Sequence, residues 1–251
     1  MNHVFRIIWS QAQRAWIVVS ELARRRGKSS RGVDGRIAVV QVMPSAVRCG
    51  LRMSMLAAFL ALGAPAWADD RWWDPNNTTL GLGGTGTWNT SGTFWSPNND
   101  GVSGPYSAWN NAALDDAFFG GTAGTVTLGA SITAHHLNFL ANGYTITGST
   151  LTLGGVDPTI AIGGTNITTT INSVIAGTAG LTLTGVNQTS LLTLNGVNTF
   201  SGDVNVNGGR LIVNGDPALG NVANMINMAA GARLDAGNTG GDLANRTVNL
   251  A

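Results

Sequence analysis

From Thr125 to Ala251 the chain repeats one small unit, a run of three to five alternating apolar and polar residues closed by Gly or Asn-Gly. Val126-Thr127-Leu128, Tyr144-Thr145-Ile146, Leu151-Thr152-Leu153, Thr159-Ile160-Ala161-Ile162, Leu181-Thr182-Leu183, Leu192-Thr193-Leu194, Val204-Asn205-Val206 and Leu211-Ile212-Val213 all follow it. Period two is the mark of a strand with one buried face. Gly148, Gly154-Gly155, Gly163-Gly164, Gly196, Gly208-Gly209 and Gly215 punctuate the runs, as turns that need positive φ require. Strands this short can form a stack of hairpins or a parallel solenoid. The near-repetition of Gly180–Gly185, Ser190–Gly196 and Gly209–Gly215 favours the solenoid, whose units bury a face only by stacking. The predicted fold class is therefore all-β, a parallel β-helix over 125–251. Inward Leu, Val and Ile should form columns. Asn195, Asn207 and Asn214 are candidates for hydrogen-bonded ladders along the stack.

Residues 69–124 differ in texture. They contain Trp72, Trp73, Trp88, Trp95 and Trp109 and turn-rich pieces such as Asp74-Pro75-Asn76-Asn77. Two readings apply to these tryptophans. They cover the open core at the end of the solenoid as an aromatic-rich N-terminal cap, or they form an exposed platform for glycans. Their position before the first strands favours the cap.

Residues 1–68 read as an export address. Met53–Gly63 is an apolar run of 11 residues, preceded by Arg48 and Arg52 and followed by Ala64-Pro65-Ala66-Trp67-Ala68. This has the basic, apolar and small-residue parts of a secretory signal peptide, with Ala66 and Ala68 in A-x-A spacing. The run is too short to span a bilayer, which takes about 20 residues. Cleavage after Ala68 would leave Asp69 first, so Sec translocon and signal peptidase are the implied export partners. Within residues 1–30, Phe5, Ile8, Trp9, Ala12, Trp16, Val19 and Ala23 fall on one stripe of a helix, although Ile7, Ile17 and Val18 blur it. The expectation is a helical, cleavable leader divided into 1–30 and 31–68.

Charge and thiol content narrow the function. Residues 1–68 hold 10 of the 14 Lys+Arg and 2 of the 13 Asp+Glu, which leaves 4 Arg against 11 Asp, or 4 − 11 = −7, for residues 69–251. A weakly acidic surface without Lys argues against nucleic acid as a partner. Cys49 is the only cysteine and lies in the leader, so the exported part has no disulfide. A chain this size can bury enough core without one, and a chain that threads a pore unfolded must not be crosslinked; both readings fit.

Candidate chemistry is sparse, and no catalytic, cofactor or metal residue is assigned. His135-His136, read as part of a strand, would point to opposite faces and could not share one metal. Asp115-Asp116 meets the same objection as a catalytic pair. Gly-x-Ser-x-Gly does not occur, and Gly81-Leu82-Gly83-Gly84 lacks the Lys-Ser/Thr of a phosphate loop.

Two stretches resemble known families. Met1-Asn2, Phe5-Arg6, Ile8-Trp9, Ala15-Trp16, Val18–Leu22 and Lys28-Ser29-Ser30 resemble the extended signal peptide region of type V secreted proteins. Residues 180–221 resemble the autotransporter-associated β-strand repeat. Leu192, Leu194, Gly196, Asn198-Thr199-Phe200-Ser201-Gly202, Gly209, Leu211 and Val213 occupy its motif positions. Asn187-Gln188-Thr189 stands where a Gly-rich link is usual.

The resemblances imply a Gram-negative, surface-displayed or secreted passenger with a right-handed β-helix. It would be an adhesin or scaffold without catalysis or cofactor, whose ligands are host-cell or matrix glycans or proteins. A C-terminal outer-membrane barrel would translocate it. Residues 222–251 are too few for such a barrel, so the expectation is a passenger fragment. The rivals are a two-partner secretion exoprotein and a β-helical enzyme acting on polysaccharide. The first would carry Asn-Pro-Asn-Gly, of which Asp74-Pro75-Asn76-Asn77 is a weak echo. The second needs clustered charges, whereas Arg71, Arg210, Arg233 and Arg246 are scattered in sequence.

Overall fold

The computed structural model describes residues 5–10, 15–20, 68–77, 80–237, 243 and 246–251. The chain divides into two units, Met1–Phe59 and Leu60–Ala251. In the first, β1 (Phe5–Ser10) and β2 (Ala15–Ser20) pair antiparallel, with Trp9 and Trp16 as Cα partners. This corrects the helix expected here. Ile7, Ile8, Trp9, Trp16, Ile17, Val18 and Val19 are β-branched or aromatic, and such residues lose side-chain freedom in a helix and suit a pleated surface. The residues that blurred the helical stripe are the ones that make these strands. The apolar run, Ala66 and the rest of 21–67 lie outside the described residues.

The second unit is the expected parallel β-solenoid, and its strands fall on three faces. The first face holds β3 (Asp70–Trp73), β7 (Asp116–Phe119), β10 (Leu137–Phe139), β13 (Thr159–Ile162), β16 (Leu181–Gly185), β18 (Val204–Val206), β20 (Ile226–Met228) and β22 (Val248–Leu250). The second holds β4 (Gly86–Trp88), β8 (Thr125–Leu128), β11 (Tyr144–Gly148), β14 (Thr168–Ile171), β17 (Leu191–Leu194), β19 (Arg210–Val213) and β21 (Arg233–Ala236). The third holds β9 (Ile132–Ala134), β12 (Leu151–Leu153) and β15 (Ile175–Ala176). Strands along each of these stacks pair in parallel. At the N-terminal end, β5 (Thr93–Ser96) and β6 (Ser107–Ala108) add antiparallel to β3 and extend the first face.

The register explains the core. On the first face, Ala117, Leu137, Ile160 and Leu183 are successive partners. On the second, Val126, Ile146, Ile171, Leu194 and Val213 are. On the third, Ile132, Leu151 and Ile175 are. Every residue in these columns is at most 2% exposed. Their neighbours in each strand point outward, as period two dictates. Burying one such side chain contributes about 1.5–3 kcal/mol, so many short strands together hold what a single one could not.

Candidate functional site

The centre of the expected repeat motif, residues 198–202, lies on the third face, where regular strands give way to an extended connection. Thr199 N–H donates to the Ile175 carbonyl (2.9 Å) and Ser201 N–H to the Gly177 carbonyl (3.0 Å), so this segment continues the β9–β12–β15 stack. Phe200 points inward and is fully buried. Asn198, 6% exposed, bridges the turns on either side. Its Oδ1 accepts the Ile175 N–H (2.7 Å) and its Nδ2 donates to the Ala218 carbonyl (2.6 Å). The side-chain amide thus takes the place of a missing peptide group, as buried backbone donors require. Leu192, Leu194, Leu211 and Val213 fill core columns.

The motif glycines are set by close approach. A Cβ on Gly196 would lie 2.4 Å from the Ser173 carbonyl oxygen. Gly202 has φ +99° and faces Gly180, where an added Cβ would lie 2.7 Å from the Gly180 nitrogen. No other residue fits both the conformation and the space. The Gly209 carbonyl accepts the Arg233 N–H of the next turn at 3.0 Å.

Two asparagine ladders run along the solenoid. Asn195 Nδ2 donates to Asn172 Oδ1 (2.8 Å), and Asn214 Nδ2 donates to Asn195 Oδ1 (2.5 Å). Asn195 and Asn214 were expected. Asn207 lies after β18, outside this ladder. The second ladder was missed: Asn227 Nδ2 donates to Asn205 Oδ1 (2.8 Å) and Asn249 Nδ2 to Asn227 Oδ1 (2.7 Å). Its sequence signal is the triplet Val204-Asn205-Val206, Ile226-Asn227-Met228, Val248-Asn249-Leu250, recurring every 22 residues (204 to 226 to 248). Beside the first ladder, Thr125, Thr145, Thr170 and Thr193 form an outward column of register partners.

The tryptophans gather at the N-terminal end. Trp73, Trp88, Trp95 and Trp109 are 0–2% exposed. Their rings meet at centroid distances of 4.6 Å (Trp95–Trp109), 4.8 Å (Trp88–Trp95 and Trp88–Trp109) and 5.2 Å (Trp73–Trp95). Phe119 joins this cluster and stacks on Phe139 at 4.8 Å, carrying the aromatic core into the next turn. Trp73 and Trp109 donate their indole N–H groups to the Gly84 and Thr133 carbonyls, both at 2.9 Å. The Trp88 and Trp95 N–H groups are buried without a hydrogen-bond partner among the described residues. Trp72 is half-buried and stacks on Phe118 at 4.6 Å. Beneath them, buried Asp74 accepts the Tyr106 hydroxyl at 2.5 Å. Burial and this carboxylate push the Tyr106 pKa up to about 12.

The structure overturns the geometry assumed for His135-His136. These residues form the turn between β9 and β10 and not a strand. Their ring centroids lie 3.6 Å apart with the planes tilted by 35°, and both residues lie with Asp116 in one cluster. Asp115 and Asp116 do separate as the alternation predicts. Asp115 pairs with Arg71 (3.1 Å), while Asp116 Oδ1 meets His135 Nδ1 (3.1 Å). Arginines distant in sequence also converge: Arg210 and Arg233 both pair with Asp235 on the second face. Arg246, its side chain 1% exposed, pairs with Asp216 and donates to the Gly220 and Asn221 carbonyls at 3.0 and 2.8 Å. Ala68 and Asp69, the residues flanking the expected cleavage point, are exposed.

Comparison with known proteins agrees with the resemblance of the leader to type V secreted proteins. Residues 1–61 match the Extended Signal Peptide of Type V secretion system. Over 200 residues, 80% of this chain, the sequence is 54% identical to the Adhesin BmaC autotransporter of Brucella suis biovar 1 (strain 1330). The chain spans 6% of that relative's length. No solved structure matches. With a type V export leader followed by a parallel β-solenoid, this chain is similar in organisation and sequence to an exported autotransporter passenger.

Proposed function

We propose that residues 69–251 belong to a non-catalytic adhesin passenger that acts by display. The observation that carries this reading is the 54% identity to a protein named as an adhesin autotransporter. The solenoid surface supports it. Its second face presents the threonine column and an asparagine ladder, polar but largely uncharged groups suited to hydrogen bonding with glycans or matrix proteins. Sec translocon and signal peptidase would export the chain and trim it after Ala68, and an outer-membrane barrel would translocate it. The tryptophans would serve as the end cap. What favours the cap is the burial of Trp73, Trp88, Trp95 and Trp109, since an indole without an exposed face cannot stack on a sugar.

Three measurements test this. N-terminal sequencing of the exported protein should begin at Asp69, and another start would refute the cleavage assignment. Cells producing the full-length protein should attach to immobilised matrix glycoprotein better than cells whose protein lacks residues 125–251 but is still displayed. Equal attachment would remove the adhesive role from the solenoid, and turnover of a polysaccharide would end the non-catalytic reading.

A further inference from the structure

The corner around His135 and His136 joins three successive turns of the solenoid. Asp116 starts β7, the two histidines precede β10, and Val156 and Thr159 lead into β13. The backbone is stitched there as well: His136 O accepts the Ala117 N–H (2.8 Å), and Asp115 O accepts the His135 N–H (3.1 Å). The hydrogen bonds fix where the imidazole protons sit. His135 Nε2 lies 2.9 Å from the Val156 carbonyl, which can only accept, so this nitrogen carries a proton. His135 Nδ1 faces the Asp116 carboxylate at 3.1 Å. His136 Nδ1 receives the Thr159 backbone N–H at 2.9 Å, which can only donate, so this nitrogen carries none. The Thr159 hydroxyl lies 3.0 Å from the same nitrogen.

We propose that this corner is a proton-operated latch: neutral His136 holds the start of β13, and a proton on its Nδ1 releases it. Protonation turns the acceptor into a donor aimed at the Thr159 N–H. It also brings a cation against the adjacent His135 ring, whose centroid is 3.6 Å away. The titratable groups facing the pair are Asp116 from β7 and, behind it, Asp70 from β3, the register partner of Asp116. Asp115 is turned toward Arg71 and the Asp69 N–H, and Asp157 adjoins Val156 in the loop before β13. Burial, with help from His135 and against Asp116, holds the His136 pKa below its ordinary value. A histidine depressed in the fold binds its proton more tightly when unfolded. Its contribution to stability is complete above about pH 6.5 and is lost as pH falls through the lower, folded value.

A shared metal is the competing use of the Asp116–His135–His136 cluster. To bind it, His136 Nδ1 would have to abandon the Thr159 N–H, or Nε2 would have to lose its proton while Nδ1 stays occupied.

The test uses the full chain and its His136→Asn variant, whose Oδ1 supplies a similarly placed acceptor that does not titrate. As pH falls from about 6.5 towards the lower, folded value, hydrogen exchange at the Thr159 amide, corrected for intrinsic chemistry, should speed up by up to about tenfold per pH unit. The variant should keep its protection across the same range. Imidazole nitrogen NMR of the unmutated chain gives a second reading without mutation: His136 should be the Nε2–H tautomer at neutral pH. Equal acid sensitivity in the variant, or an Nδ1–H tautomer for His136, would overturn the latch. So would a zinc-induced rise in Tm that His136→Asn abolishes, because the cluster would then be a metal site.

Discussion

The two ends of the solenoid solve the same problem in different ways. Around residues 180–221 each turn repeats its neighbour: aliphatic columns inside, an amide ladder outside, and Asn198 tying one turn to the next. Around residues 69–124, β3, β4 and β7 join the parallel stacks, but the remainder does not repeat. There, irregular antiparallel strands and a cluster of four buried indoles close the core. A periodic stack can share its cost among many equivalent small contacts, whereas a terminus has no neighbour to share with and must rely on a few large side chains. The Trp88 and Trp95 N–H groups, unpaired among the described residues, show that volume outweighs polar satisfaction at this end.

This contrast can be broken most severely at the aromatic end. Trp95→Ala should cost about 3–5 kcal/mol, as large-to-small changes at buried aromatics do, and thermal or denaturant unfolding measures it. Among the repeats the corresponding weak point is polar. Asn198→Ala strands the Ile175 N–H and the Ala218 carbonyl inside the protein, at about 2–4 kcal/mol. If Asn198→Ala proved as mild as a surface change, the bridging role assigned to the motif would be wrong. Asn198→Asp, which keeps the acceptor but loses the donor to Ala218, should be destabilising as well.

A subtler test separates the ends by pH. The Tyr106 pKa is raised to about 12 in the fold, against an ordinary value near 10. A raised tyrosine stabilises below its unfolded pKa, and that contribution is lost as pH climbs from about 10 towards 12. Burial moves Tyr144, against Phe119, in the same direction. Tyr106→Phe should therefore flatten, without abolishing, the alkaline fall in Tm. The smallest effect belongs to the exposed ladder. Asn195→Ala should change stability by about 0.5–1 kcal/mol, since its partners can turn to water. A loss rivalling that of Trp95→Ala would mean that the ladders, and not the columns, hold the stack together.

The solenoid itself was legible because its period-two runs and glycines state both the strand and the turn. Rung register was not, because the spacing between paired residues varies. Leu191 and Arg210 are 19 apart, whereas Tyr144 and Thr169 are 25 apart. Turns of different length hide the alignment until contacts are seen. Asn205, Asn227 and Asn249 looked like ordinary outward polar residues, since a ladder exists only once the turns are stacked. His135-His136 was misplaced because Ala134-His135-His136-Leu137 contains no Gly or Pro to announce a bend. In the leader, Ile and Val at the edges of a weak helical stripe were the better signal, and local β preference prevailed. The convergence of Arg210 and Arg233 on Asp235 is a product of stacking as well, since their strands pair in register.

The asparagine ladders accept on one side and donate on the other, so both ends of a ladder present the chemistry needed to attach one more identical member. Duplicating a segment of about 22 residues therefore inserts a compatible layer without redesigning its neighbours, and lengthens the rod by about 4.8 Å. For a molecule that works at a distance from the cell that makes it, reach becomes a quantity that gene duplication can adjust in small, interchangeable steps.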